Sequence, residues 1–123
     1  MTNTITVGGK ELNLLANAAT PIRYKMVFKE DLMVLFNQIN SDKRDQGEVL
    51  GIVSQLAYIM NKQAECKDRI ELSNLSYNGY IEWLEDFGAM DFANAAEAII
   101  NTYLGTTGTT SKAKKEDGLL IGK

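Results

Sequence analysis

Thr4-Ile5-Thr6-Val7, Gly8-Gly9, Lys10-Glu11-Leu12-Asn13-Leu14 is the stretch whose reading decides the fold. Apolar Ile5, Val7, Leu12 and Leu14 alternate with polar neighbours on either side of a two-glycine turn that tolerates positive φ. That is the pattern of a tight β-hairpin with one buried face. Thr20-Pro21 follows. A threonine oxygen can accept the orphan amides of a first turn, and proline suits the first helical position, so a helix is expected to start here with Thr20 as its cap.

After the hairpin the period becomes helical. Ile22, Met26, Phe28, Leu32, Leu35, Phe36 and Ile39 recur at three- and four-residue intervals, with Arg23, Lys29, Glu30, Asn37 and Gln38 between them. One long helix or two short ones fit this spacing. Asn40 to Gly47 reads as a polar connection. Val49, Ile52, Val53, Leu56 and Met60 then set out a helix from Glu48 to about Cys66, and the extra apolar residues Leu50, Ala57 and Ile59 suit an element contacted on more than one side. This helix is expected to be central.

Ser73 or Ser76 can cap the next helix, which is expected to run to Phe87 and stop at Gly88, gathering Tyr77, Tyr80, Ile81, Trp83 and Leu84 on the way. At helical spacing Trp83 reads as core. Asp91 opens a final helix with Phe92, Ala95, Ala96, Ile99, Ile100 and Tyr103 as its buried stripe. The fold class expected is therefore mainly α: an N-terminal β-hairpin followed by four or five packed helices and a flexible C-terminal tail. The domain boundary falls at 104, because residues 105–123 offer almost no apolar surface to offset the entropy of ordering them.

At 123 residues and 45% hydrophobic composition the chain suits one domain with one core. Thirteen basic and 16 acidic residues give a formal charge of -3, a mean field that opposes binding to nucleic acid and to anionic membranes. With one cysteine, Cys66, no intramolecular disulfide can form, which fits a reducing cytosol. No apolar run approaches the ~20 residues of a membrane span, and no basic-then-apolar leader opens the sequence.

Catalytic chemistry finds little support in these residues. The chain has no histidine, so it lacks the commonest general base and metal ligand, and Cys66 has no imidazole to activate it. Glu82, Glu85 and Asp86 read as a solvated helix face. Asp42 to Gly47 fails as a calcium loop, since Arg44 and Gln46 stand third and fifth and Val53 twelfth. Gly8-Gly9-Lys10 lacks the spacing of a phosphate-binding loop. No catalytic residue, cofactor or metal is expected.

Ala19-Thr20-Pro21-Ile22-Arg23-Tyr24-Lys25-Met26-Val27-Phe28, then Lys29-Glu30-Asp31-Leu32-Met33, directly after the hairpin, resembles the tail assembly chaperones of long-tailed bacteriophages of Gram-positive hosts. The likeness is clearest over residues 3–40. Relatives often carry glycine after the aromatic residue, in a Phe-Gly-Lys-Asp-like string; here Lys29 follows Phe28, which leaves the sharpness of the break between helices open. The resemblance implies a non-catalytic chaperone acting in the host bacterial cytoplasm, with the tape measure protein and the major tail tube protein as partners. Many copies would act together, so a homo-oligomer is compatible with the role. A structural head-to-tail adaptor or tail terminator protein is the alternative.

Two segments are candidate partner-binding residues. Arg23 and Tyr24 could give the first helix a recognition face. In the tail, Lys112, Lys114 and Lys115 precede Glu116-Asp117-Gly118 and the apolar cluster Leu119, Leu120 and Ile121. A segment of that kind can order on binding.

Overall fold

The computed structural model describes residues 2–41, 45–66 and 72–105. Strands β1 (Thr2–Val7) and β2 (Lys10–Leu15) pair antiparallel in the register Asn3 with Leu14, Ile5 with Leu12 and Val7 with Lys10. The turn between them uses Gly8 at φ 59° and Gly9 at φ 81°, both in the left-handed region that matches the twist of the strands. Gly8 has a second reason to be glycine, since a Cβ there would collide with the Asp91 carboxylate. Val7, Leu12 and Leu14 are buried on one face, as the alternation requires.

Five helices follow among the described residues: α1 (Thr20–Phe28), α2 (Leu32–Asn40), α3 (Gln46–Glu65), α4 (Tyr77–Leu84) and α5 (Asp91–Leu104). The chain is thus mainly helical with an N-terminal hairpin. The sequence left one long helix or two short ones open over 20–40, and the structure has two. Lys29 takes the left-handed conformation at φ 66°, its amide bonds Lys25 O, and its Nζ donates to Met26 O at 2.9 Å. Asp31 then caps α2, its Oδ1 accepting from Met33 N at 2.8 Å. A lysine fills the position where a left-handed helix end favours glycine.

Central α3 begins with a capping box the sequence reading passed over: Asp45 Oδ1 accepts from Glu48 N at 2.8 Å, and Glu48 reaches back to Asp45 N. β2 lies against α3, β1 against α5, α1 and α4 pack on α3, and α2 packs on α1. Rings join these helices. Tyr24, Phe28, Tyr80, Tyr58, Trp83 and Phe92 follow one another at centroid distances of 4.9, 5.1, 5.7, 5.5 and 5.6 Å. Phe36 of α2 stacks on Tyr103 of α5 at 5.6 Å.

Three local expectations are corrected. Thr20 is the first residue of α1, not its cap; the cap position is Ala19, with no side-chain bond. The Thr20 hydroxyl is fully buried and accepts from Asn17 N at 3.0 Å, a local turn partner, and from Gln63 Nε2 at 2.9 Å, a partner that only the packed fold supplies. Second, α1 buries Thr20 and Tyr24, while Ile22 and Met26 point outward at 63% and 57% exposure. Third, α4 ends at Leu84, and Glu85, Asp86 and Phe87 continue only as tighter turns on Glu82, Trp83 and Leu84 carbonyls. Ser76, not Ser73, caps it, accepting from Gly79 N at 3.0 Å.

Candidate functional site: an apolar groove at one end of the central helix

An open cavity of about 270 Å³ lies where the first turns of α3 meet the end of α4 and the start of α5. Leu50 and Gly51 form its floor, Leu84 and Phe87 one wall, and Phe92, Gly88 and Ala89 the other. The gap exists because small residues stand where side chains would fill it. A Cβ added at Gly51 meets nothing within 4 Å. Gly88 turns tightly: its amide donates to Asp91 Oδ2 at 2.7 Å, which carries the chain over into α5.

Ser54 is the one polar side chain of the lining, and it is engaged. Its Oγ donates to Gly51 O at 2.9 Å and shares a 2.6 Å hydrogen bond with the Tyr80 hydroxyl. Burial pushes the Tyr80 hydroxyl above its ordinary 10.0, with the Ser54 bond opposing. At the rim, Lys10 Nζ lies 5.3 Å from the centre of the Phe87 ring, and Met90, next in the chain after Ala89, is 62% exposed. The volume is below the roughly 300–1,000 Å³ typical of small-molecule sites. It suits one or two apolar side chains presented by another polypeptide segment.

A second cavity, about 400 Å³, borders Tyr58, Lys62, Cys66, Glu82, Trp83 and Asp86. Burial raises the Tyr58 hydroxyl above its usual range, so it stays a neutral phenol at ordinary pH. Among the described residues no three metal-ligating side chains converge. No helix of the described residues is long and apolar enough to cross a membrane.

The expected recognition pair on α1 does other work. Tyr24 is 1% exposed, its hydroxyl 2.6 Å from Gln55 Oε1, so its ring offers no surface to a partner. Arg23 is half-buried, and its Nη1 donates to Gln63 Oε1 at 2.8 Å. The residues that α1 does expose are Ile22, Lys25 and Met26. Lys112, Lys114, Lys115, Leu119, Leu120 and Ile121 lie outside the described residues, as does the rest of 106–123.

Trp83 is partly buried at the edge of the core, with Nε1 donating to Asn61 Oδ1 at 3.1 Å. The groove itself went unread in the sequence, where Leu50 counted as extra width for α3 and Gly88 as a stop. Gly51 was the available signal: a glycine inside a helix costs about 1 kcal/mol against alanine, which asks for a packing or functional reason.

No family model, curated protein or solved structure matches the chain.

Proposed function

We propose that this chain is a non-catalytic phage tail assembly chaperone that seats apolar helical segments of the tape measure protein in the groove between α3, α4 and α5. One observation carries the reading: a gap lined by Leu50, Leu84, Phe87 and Phe92 beside exposed Met90, on a chain whose residues 3–40 resemble that family. A helix laid into a groove needs anchors for side chains one turn apart and no reactive group. Exposed methionine suits a surface that must accept varied apolar segments, because its side chain is unbranched and polarisable. Recruitment of major tail tube subunits in the host bacterial cytoplasm completes the role.

The test is binding of the full chain to fragments of the tape measure protein, read by calorimetry. Ala89→Arg should abolish binding while leaving the melting temperature close to that of the parent, since Ala89 is exposed. Ile22→Ser, outside the groove, should leave binding unchanged. Binding untouched by Ala89→Arg removes the groove from the reading, and no binding to any fragment overturns the chaperone role. Presence of the protein in purified virions would favour the head-to-tail adaptor or terminator reading instead.

A further inference from the structure

We infer that the groove between α3, α4 and α5 is a docking site for this chain's own C-terminal cluster, Leu119-Leu120-Ile121. This contact needs no client, so it stands apart from the chaperone reading although it uses the same surface.

Three observations converge. The first is fit: the groove is apolar and sized for one or two side chains, with Leu50, Leu84, Phe87 and Phe92 around a gap of about 270 Å³. Leu119-Leu120-Ile121 is the only run of three large aliphatic residues beyond residue 105.

The second is charge. Residues 106–123 hold Lys112, Lys114, Lys115 and Lys123 against Glu116 and Asp117, a formal +2, which leaves -5 on the rest of a chain whose total is -3. The wall of the groove carries part of that excess, as Glu85 and Asp86 are both exposed in the turn between Leu84 and Phe87. Lys112, Lys114 and Lys115, a few residues before the apolar anchor, are opposite in sign to the exposed acids Glu85 and Asp86 a few residues from its pocket. Such pairs steer the segment to the groove more than they hold it there.

The third is reach. α5 carries the chain from Phe92 at the groove to Gly105 at its far end, a rise of about 20 Å. Roughly fourteen residues separate Gly105 from Leu119, enough to span more than 40 Å when extended. The segment can therefore return along α5 within one molecule. Linkage in the same chain gives the cluster an effective concentration in the millimolar range, so even a weak contact is populated.

The experiment uses the full chain, isotope-labelled, with Cys66→Ser and a nitroxide attached at Lys123→Cys. Amide signals of Gly51, Gly88 and Ala89 should lose most of their intensity, while that of Glu65, at the other end of α3 and about 21 Å along the helix from Gly51, should lose far less. L119D/L120D/I121D in the same background should restore them. Without any nitroxide, the same triple substitution should shift the Gly51, Gly88 and Ala89 amides relative to the parent, a readout that does not depend on the spin label. Uniform signals in both experiments, or broadening that survives the aspartates, overturns the inference. A mixture of nitroxide-bearing unlabelled chain with isotope-labelled parent supplies the remaining arm: broadening there assigns the groove to a second copy and overturns docking within one chain.

Discussion

From Leu56 to Gln63, α3 is covered on nearly every side. From Gln46 to Gly51 the same helix lies open. In the covered half, Asn61 Nδ2 donates to Asn13 O at 3.0 Å, and Gln63 Nε2 donates to Leu15 O at 2.7 Å and to Thr20 Oγ1 at 2.9 Å. Two side-chain amides thus fasten β2 and the start of α1 to the central helix. In the open half, Leu50 and Gly51 border a cavity shared with Gly88 and Ala89, and a Cβ added at Gly51 would meet nothing within 4 Å. One helix serves as the tie of the core at its C-terminal end and as the floor of a groove at its N-terminal end. Stability and recognition are separated along a single element, so mutations should divide by position.

The widest separation is expected from matched leucine truncations. Leu56→Ala, at a fully buried position, should cost about 2–5 kcal/mol. Leu50→Ala, half-buried at the groove, should cost about 1 kcal/mol or less. Urea unfolding of both variants measures the contrast, and equal losses would erase the distinction between the halves. Next in size, Gln63→Ala should cost about 1–3 kcal/mol by leaving Leu15 O and Arg23 without their partner. Thr20→Ser should be much milder than Thr20→Val, because the hydroxyl matters as an acceptor for Gln63 and Asn17 and not as a helix cap.

In the open half the sign should reverse. Gly51→Ala should raise stability by about 0.5–1 kcal/mol, since the added methyl meets nothing and the helix loses a poor former. The same substitution should weaken whatever occupies the groove. A destabilised Gly51→Ala would show the floor to be closed in solution.

The smallest effect lies at the seam. Tyr58 and Tyr80 both have hydroxyls pushed above 10.0, first of all by burial. A folded-state value raised above the unfolded one means that the native state holds the proton longer, so this contribution is intact below pH 10 and fades as pH climbs beyond it. The melting temperature should therefore fall as pH rises beyond about 10. Tyr80→Phe should flatten that dependence while losing the bond to Ser54. An alkaline decline as steep in Tyr80→Phe as in the parent would remove Tyr80 from the account.

Much of the architecture was legible because it is written in local chemistry. Alternation around Gly8-Gly9 sets the hairpin and its buried face, since side-chain direction in a strand depends on position alone. The spacing of Val49 to Met60 sets α3 as a long helix covered on several sides. Ser76 marked the start of α4, whereas Gly88 lies beyond its end at Leu84. Other features required the assembled fold. α1 carries apolar residues on opposite faces, Ile22 and Met26 on one, Tyr24, Val27 and Phe28 on the other, so its period alone leaves two solutions. The choice is made by Gln55 and Gln63, distant residues of α3 that supply polar partners for the Tyr24 hydroxyl and the Arg23 guanidinium. Thr20 turned inward for the same reason. The groove, too, is a property of three helix ends brought together, and glycine and alanine mark it only by what they leave unfilled. Local periodicity reports which faces a segment possesses; which face is buried depends on hydrogen-bond partners and surfaces that arrive from elsewhere in the chain.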